Sequence, residues 1–414
     1  MTRGASVTTL PVLTPDAADH VAALRATLRA RLDAAGGWLP FDDYMDAVLY
    51  TPGQGYYSAG AAKFGAAGDF VTAPEITPLF ARALARQFAD VLAVTGGDVL
   101  EVGAGSGRFA RVALEELARL GTLPDRYAIL EVSADLRERQ RAELARAGDA
   151  IAARAAWLDG FPERHVGVVF ANELLDALPC DRFVLRGGRP QRLGVALRGG
   201  EFVWAPRAVD GADPQDVAWS DEVERTLDGL GAALPDGYCG EIAPRVDAWV
   251  QSLAERLERG VVILVDYGLP RPHYYHPQRL DGTLRCHFRQ HAHHDPFLHP
   301  GLSDITAWVD FTRVAEAADA AGLAVAGFAT QAAWLLALGV ESLAAETLPE
   351  ALDDGVGGGA AAGAVPVRHL AAMQGLKRLL LPGEMGEAVK VMVLTRGWDA
   401  PLRGLRLQDL RDSL

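Results

Sequence analysis

The sequence predicts an α/β fold with an open, mostly parallel sheet, and three observations carry that prediction. Residues 98–102 form a short apolar run with β-branched side chains. Glycines then stand at every second position of Gly103-Ala104-Gly105-Ser106-Gly107, and Phe109-Ala110-Arg111-Val112-Ala113-Leu114 opens a helical pattern. Strand, glycine turn and helix in this order make the corner at which open α/β sheets bind nucleosides and phosphates. Further along, residues 260–265 are continuously apolar, as expected of a strand buried on both faces.

The glycine spacing narrows the ligand. A dinucleotide fingerprint places a third small residue three positions after its second glycine, and here that position holds Arg108. A long side chain there obstructs close helix–strand packing against a pyrophosphate. A P-loop needs Gly-Lys-Ser/Thr at the turn, which is absent. The remaining pattern, Glu101-x-Gly103-x-Gly105-x-Gly107, resembles motif I of class I S-adenosylmethionine-dependent methyltransferases.

Composition sets the outer bounds. A chain of 414 residues with 50 % hydrophobic side chains suits two domains or one large elaborated domain. A formal net charge of −14 argues against broad binding to nucleic acid or to an anionic membrane, since both need a basic face. It suits a basic partner, such as an arginine-bearing protein surface. Cys180, Cys239 and Cys286 are far apart and form no CxxC pair, so neither a disulfide framework nor a zinc site is indicated, and a reducing cytosol fits. No apolar run reaches the roughly 18 residues of a membrane-spanning helix. Residues 1–13 lack the basic-then-apolar plan of a signal peptide.

Taken in order, Ala18, Val21, Leu24, Leu28 and Leu32 recur at helical spacing until Gly36-Gly37. Phe41, Tyr44, Met45, Val48 and Leu49 mark a second helix, ended by Pro52-Gly53. A glycine-rich polar loop over 65–75, which includes Thr72 and Glu75, precedes a helix predicted over 76–94 and can position a ligand. A second strand, residues 127–132, carries Glu131 at its end, where an acid can accept hydrogen bonds from both ribose hydroxyls. Ser133 opens the next helix. A third strand is predicted over 153–157. Asp159 after it is a candidate for the adenine amino group, with Trp157 or Phe161 against the ring, although Asp159-Gly160 is equally a plain turn signal.

A fourth strand, 166–171, runs into Asn172-Glu173-Leu174-Leu175-Asp176-Ala177-Leu178-Pro179. Ligands of open α/β sheets bind outside the carboxyl ends of strands, so Asn172 and Glu173 sit where chemistry is expected. On one helical turn, Glu173 and Asp176 would turn both carboxylates to one side. The alternative is a helix capped by Asn172 with acids that favour its dipole. Residues 182–258 interrupt the α/β rhythm with predicted strands at 183–185, 192–197 and 201–204 and helices at 223–230 and 243–257, a small antiparallel insertion serving as cap or interaction surface. A fifth strand, 260–266, ends in Asp266-Tyr267-Gly268.

The loop predicted over 269–301 holds seven of the ten histidines. They have no fixed spacing to carboxylate partners, so no metal is assigned, and closure over substrate or cofactor is the reading taken. A helix is predicted over 303–321, a strand over 323–330, a helix over 331–338, a Gly/Ala-rich loop around 355–364, a helix over 370–381 and a closing strand over 388–394. The resulting organisation is an N-terminal helical region with a cofactor-covering loop (1–95), a divided core (96–181 and 259–397), the insertion (182–258) and a C-terminal tail (398–414).

Several motifs occur in one order: Gly68-Asp69-Phe70-Val71-Thr72-Ala73-Pro74-Glu75, the glycine motif, Asn172-Glu173-Leu174-Leu175-Asp176-Ala177-Leu178-Pro179, Val265-Asp266-Tyr267-Gly268, Thr283-Leu284-Arg285, Asp304-Ile305-Thr306-Ala307-Trp308-Val309-Asp310-Phe311 and Lys390-Val391-Met392-Val393-Leu394. Over roughly residues 40–397 this resembles the MidA family, whose mitochondrial members are complex I assembly factors that methylate an arginine on a complex I subunit. The resemblance implies a class I methyltransferase fold with a seven-stranded, Rossmann-like sheet, S-adenosyl-L-methionine as cofactor, and arginine ω-nitrogen methylation in a bacterial cytoplasm. By position it implies that Glu101, Gly103, Gly105, Gly107, Glu131, Asp159, Thr72 and Glu75 border the cofactor. Asn172, Glu173 and Asp176 would face the acceptor, with Asp266 in reserve. The implied partner is an arginine-bearing protein, a respiratory complex I subunit at first choice, and a homodimer is left open. Two other readings stand beside it: a small-molecule O- or N-methyltransferase with the insertion as lid, and a non-catalytic assembly chaperone.

Overall fold

The computed structural model describes residues 10–59, 72–346 and 367–414, so most of the polar loop predicted over 65–75 and the Gly/Ala-rich stretch at 355–364 lie outside the described residues. The chain divides into two compact units, each assembled from three segments.

One unit, Val71–Asp176, Val246–Pro270 and Val309–Leu414, carries the parallel sheet. Its strands are β1 (Asp98–Val102), β2 (Tyr127–Leu130), β3 (Ala155–Leu158), β4 (His165–Asn172), β5 (Leu257–Leu269), β6 (Ala324–Thr330) and β7 (Val389–Arg396). They lie side by side in the order β6-β7-β5-β4-β1-β2-β3. Every pairing from β5 to β3 is parallel, whereas β7 runs antiparallel to both β5 and β6. Among the described residues seven strands are therefore present in a mostly parallel sheet, but an eighth, the two-residue Val309–Asp310, pairs with the end of β5. The strand order reverses between β1 and β4, which makes the carboxyl ends of these two strands the ligand crevice of such a sheet.

Burial explains the strands. Residues 261–265 of β5 are at most 1 % exposed, matching the continuous apolar run. Helices Pro78–Thr95 and Arg108–Arg119 pack Phe88 and Phe109 onto the sheet, where Phe109 stacks on Phe170 at 4.2 Å and Phe88 meets the same ring edge-on at 5.6 Å.

Three boundaries differ from expectation for identifiable reasons. The helix predicted over 76–94 is split into Ala73–Ile76 and Pro78–Thr95. Pro78 drives the preceding residue out of the helical region, and the extended Thr77 caps the second helix by accepting the Leu79 N–H. The helix predicted from Ser303 begins only at Phe311. Asp310 caps it, accepting N–H groups from Thr312 and Arg313, while Asp304–Thr306 is a strand. Residues 172–179 do not form the helical turn that would align Glu173 and Asp176. Glu173 takes a left-handed backbone (φ 49°), which ends a helix rather than starting one.

The other unit, Met1–Phe70, Ala177–Arg245 and Arg271–Trp308, is helical and antiparallel. Helix Pro15–Ala34 buries Val21, Leu24, Leu28 and Leu32, and helix Phe41–Tyr50 buries Phe41, Tyr44, Met45, Val48 and Leu49. A five-stranded sheet contains Asp181–Arg186, Arg189–Arg198, Glu201–Arg207 and Cys239–Ile242, joined by Trp38–Leu39 from the N-terminal region. The expected 269–301 loop is not structureless. Arg285–Phe288 lies between His291–His293 and Asp304–Thr306 in a three-stranded sheet. Its signal is the alternation of exposed Arg285, buried Cys286, half-buried His287 and buried Phe288.

All three cysteines are free thiols. Among the described residues no helix is long and apolar enough to cross a membrane, and no cluster of His, Cys, Asp and Glu has the grouping to hold a metal ion.

Candidate active site

The glycine turn follows β1 directly. Gly103, Gly105 and Gly107 all have positive φ (73°, 52° and 82°), a backbone that β-branched or bulky side chains strongly resist. A Cβ on Gly107 would lie 2.9 Å from the Gln140 backbone, so the glycine is needed for close approach as well as for the turn. Gly107 also stands at the N-cap of helix Arg108–Arg119, and the Ser106 hydroxyl before it accepts the Arg108 N–H (3.2 Å).

Gln140 is the hub of this corner. It is fully buried; its amide nitrogen donates to the Gly105 carbonyl (3.0 Å) and to Glu131 Oε2 (3.1 Å), and its oxygen accepts the Trp157 indole N–H (2.8 Å). Sequence reasoning missed it. A signal was available: helix Ala134–Leu144 buries Leu136, Gln140 and Leu144, an i, i+4, i+8 stripe on which Gln140 is the polar member.

Glu131 is 6 % exposed and its other oxygen accepts the Ser133 N–H (2.9 Å). Burial pushes its carboxyl above the ordinary range, opposed by those donors. Glu101 lies deeper, on β1. Its Oε2 accepts the Tyr127 hydroxyl at 2.7 Å, and burial raises its pKa to about 8. Asp159 is almost fully exposed and pairs with Arg137 at 2.7 Å, while Arg137 also donates to the Glu131 and Leu158 carbonyls.

Glu75 is tied to the turn. It accepts the Ser106 hydroxyl, and Arg108 donates to its carbonyl (2.8 Å) and stands 3.5 Å from its carboxylate. Arg108, the residue that excluded a dinucleotide fingerprint, thus fastens the Ala73–Ile76 turn over the glycines. Thr72 occupies the N-cap of that turn with no side-chain capping bond.

The second cluster follows β4. Glu173 Oε1 accepts the Ala73 N–H (3.3 Å) and the Asn172 amide (3.1 Å), and the Glu173 N–H donates to the Val265 carbonyl of β5 (2.8 Å). Glu173 Oε2 accepts no hydrogen bond among the described residues. Crowding dehydrates this carboxylate and raises its pKa to about 7. Asn172 Oδ1 is buried with no donor among the described residues, an acceptor that a ligand N–H would satisfy.

Asp266, at the end of β5, gathers the following turn. Its Oδ2 accepts the N–H groups of Leu174 (3.1 Å), Leu175 (2.8 Å) and Asp176 (3.3 Å), and its Oδ1 accepts that of Tyr267 (2.8 Å). Burial, then the neighbouring Glu173 charge, pushes it upward, opposed by the N–H groups of Leu175, Asp176 and Tyr267. Asp176 is buried, and Glu173, Asp176 and Asp266 together hold the Tyr267 phenol protonated, burial being the larger cause. The structure therefore brings Asn172, Glu173, Asp176 and Asp266 together, and brings Gly103, Gly105, Gly107, Glu131 and Glu75 together around the turn. Glu101 lies beneath that turn and Asp159 projects into solvent at its edge.

A parallel sheet of this order, with a glycine turn and a terminal acid on adjacent central strands, defines an α/β enzyme that binds a nucleoside at the strand reversal. The chain belongs to the family described as "Putative S-adenosyl-L-methionine-dependent methyltransferase", whose model matches residues 83–329, and it is an S-adenosylmethionine-dependent methyltransferase. A crystal structure from Burkholderia thailandensis bound to S-adenosyl-homocysteine is 41 % identical, with a TM-score of 0.88 over 98 % of this chain and 100 % of that one. The mitochondrial protein arginine methyltransferase NDUFAF7 homolog of Drosophila melanogaster is 29 % identical over 72 % of this chain and 70 % of its own length. The human protein arginine methyltransferase NDUFAF7 is 26 % identical over 65 % and 63 % respectively.

Proposed function

We propose that this methyltransferase transfers its methyl group to an ω-nitrogen of an arginine in a protein substrate, with a respiratory complex I subunit in the bacterial cytoplasm as the first candidate acceptor. The observation that carries the reading is Glu173: a left-handed residue at a strand end, its carboxylate dehydrated and one oxygen without a donor among the described residues. The relatives named as protein arginine methyltransferases support the choice of acceptor.

Bound S-adenosylmethionine supplies an electrophilic methyl group. Gly103, Gly105 and Gly107 would border its methionine part and Glu131 its ribose hydroxyls, with Gln140 fixing both. The acceptor presents the harder problem, because a guanidinium stays protonated with a pKa above about 12 and is a poor nucleophile. Glu173 Oε2 accepts one guanidinium N–H, draws positive charge toward itself and away from the attacking nitrogen, and takes up the proton released on transfer. A carboxyl with a pKa near 7 suits a group that gains and loses a proton at neutral pH. Asn172 Oδ1 accepts a second N–H, and Asp176 supplies further negative charge. Asp266 is a positioning residue, since its four N–H bonds fix the turn that carries Glu173 and Asp176. Much of the rate then comes from alignment for in-line displacement.

The test is incubation with tritium-labelled S-adenosylmethionine and purified complex I subunits, followed by peptide mass spectrometry. Label on an arginine supports the reading, and the fragment masses distinguish mono- from symmetric dimethylation. Label confined to small molecules would transfer the site to the O- or N-methyltransferase reading. Cofactor binding without transfer to any acceptor would favour an assembly chaperone.

A further inference from the structure

A cavity of about 700 Å³ lies wholly within the antiparallel unit. Arg182, Arg186, Arg279 and Arg285 line it together with Trp204 and Trp308. That concentration of guanidinium groups is unexpected in a chain whose net charge is −14.

The wall is rigidly built. Arg182 is 8 % exposed, lies 4.8 Å over the Trp204 ring and donates from Nε to the buried Glu241 carboxylate at 3.1 Å. Glu241 Oε2 also accepts the Thr283 N–H (2.8 Å) and hydroxyl (3.1 Å), and Thr283 in turn accepts the Trp308 backbone N–H (3.0 Å). Arg279 rests 5.2 Å over Trp308, and its Nε is buried with no hydrogen-bond partner among the described residues. Arg186 and Arg285 are exposed, and neither forms an ion pair among the described residues.

Charge and donor type select the ligand. Glu241 neutralises Arg182, which leaves Arg186, Arg279 and Arg285 facing Asp281, the one acid on the lining among the described residues. The cavity is therefore positive. The N–H groups of Thr283 and Trp308 already donate within the wall, and that of Cys239 donates to the Leu280 carbonyl. They do not form the converging backbone nest that cradles phosphates. The donors on offer are guanidinium forks on separate elements, which match carboxylates spaced along a chain. Leu193, Leu284 and Pro206 add apolar surface between them.

We infer that this cavity docks an acidic segment of a partner protein. Its Asp or Glu carboxylates pair with Arg186, Arg279 and Arg285, and an apolar side chain of the segment lies against Leu193 and Leu284. The inference rests on the reading that the substrate is a protein, and it adds a recognition surface to that reading, but it requires no methyl transfer.

The test is fluorescence polarisation of the full-length protein with a short fluorescein-labelled Glu/Leu peptide, in the absence of S-adenosylmethionine. Saturable binding is expected. It should weaken by roughly tenfold or more in Arg186→Glu/Arg285→Glu, and weaken again when salt is raised from about 0.05 M to about 0.5 M. Arg279→Met keeps a long side chain on Trp308 while removing its charge, and should also weaken binding. Unchanged thermal melting of these surface variants separates lost binding from lost fold. Equal affinity in wild type and variants, equal affinity for a Lys/Leu peptide, or no binding at all would each overturn the inference. So would displacement of the peptide by ADP at concentrations below those of unlabelled peptide, which would make the cavity a nucleotide site. Because only binding is read, a failed methyl-transfer assay leaves this result standing, and lost peptide binding leaves the methyltransferase reading intact.

Discussion

Glu131 and Glu173 both follow parallel strands at their carboxyl ends, in one sheet and on either side of β1, yet their surroundings differ. Glu131 has both oxygens engaged, by the Ser133 N–H and by Gln140, and Gln140 is itself fixed to Gly105 and Trp157. Glu173 has one oxygen engaged at 3.1 and 3.3 Å, the other without a donor among the described residues, and a left-handed backbone that L side chains adopt only at a cost. A carboxylate that holds hydroxyl groups in a fixed place benefits from being pinned. One that must pair with a cation and accept its proton benefits from being dehydrated and incompletely satisfied.

The sharpest way to break this comparison is to remove the charge from each glutamate. Glu173→Gln should reduce methyl transfer by roughly 10³-fold, within the range of a lost general base, while S-adenosylmethionine affinity measured by calorimetry stays within a few-fold. Equal loss of cofactor binding would move Glu173 to the cofactor side. Gly105→Val should have the opposite profile: a β-branched residue at φ 52° distorts the turn, so calorimetric binding of S-adenosylmethionine and S-adenosylhomocysteine should be lost. Binding retained in this variant would exclude the turn as the cofactor site. Glu131→Ala should weaken cofactor affinity by roughly 10- to 100-fold, the worth of hydrogen bonds to a charged group.

The difference between the two glutamates also fixes what could be read from the sequence. Glu131 was legible because its strand, its acid and Ser133 are contiguous, and the glycine turn was legible because three glycines at alternate positions have few other uses. Glu173 was legible as a position but not as a geometry. Its left-handed backbone depends on the Val265 carbonyl of β5, and the turn after it depends on Asp266, both some ninety residues away in sequence. An i, i+3 argument for Glu173 and Asp176 assumed a local helix where long-range capping imposed a turn. Gln140 was visible only through helical phase, because glutamine carries no motif of its own. The split at Thr77 could have been taken from Pro78 alone.

Acidity gives a finer test. Free Glu173 titrates at about 7, so kcat/KM, which reports the free enzyme, should fall about tenfold per pH unit below that value as the carboxylate becomes protonated and stops attracting the guanidinium. An arginine bound beside it favours the ionised form, so the kcat profile should turn down at lower pH than the kcat/KM profile. Coincident profiles would mean that the acceptor cation does not approach Glu173.

Glu101 supplies the smallest effect and a control for the other two glutamates. Its carboxyl lies under the turn against the Tyr127 hydroxyl, and burial raises its pKa from the ordinary 4.5 to about 8. Between those values the folded protein keeps a proton that the unfolded chain has released, so the unfolded state binds fewer protons and stability falls as pH rises. The stabilisation is complete below about 4.5 and is lost as pH climbs through about 8, at a slope of at most about 1.4 kcal/mol per pH unit. Glu101→Gln keeps an acceptor for Tyr127 and removes the titration. Urea midpoints of wild type and variant should therefore converge near pH 5 and separate toward pH 9, with the glutamine protein the more resistant. A constant difference across that range would mean that Glu101 is ionised in the fold, holding the Tyr127 hydroxyl by a charged hydrogen bond, and the β1 acid would then join Glu131 as a source of negative charge beneath the glycine turn.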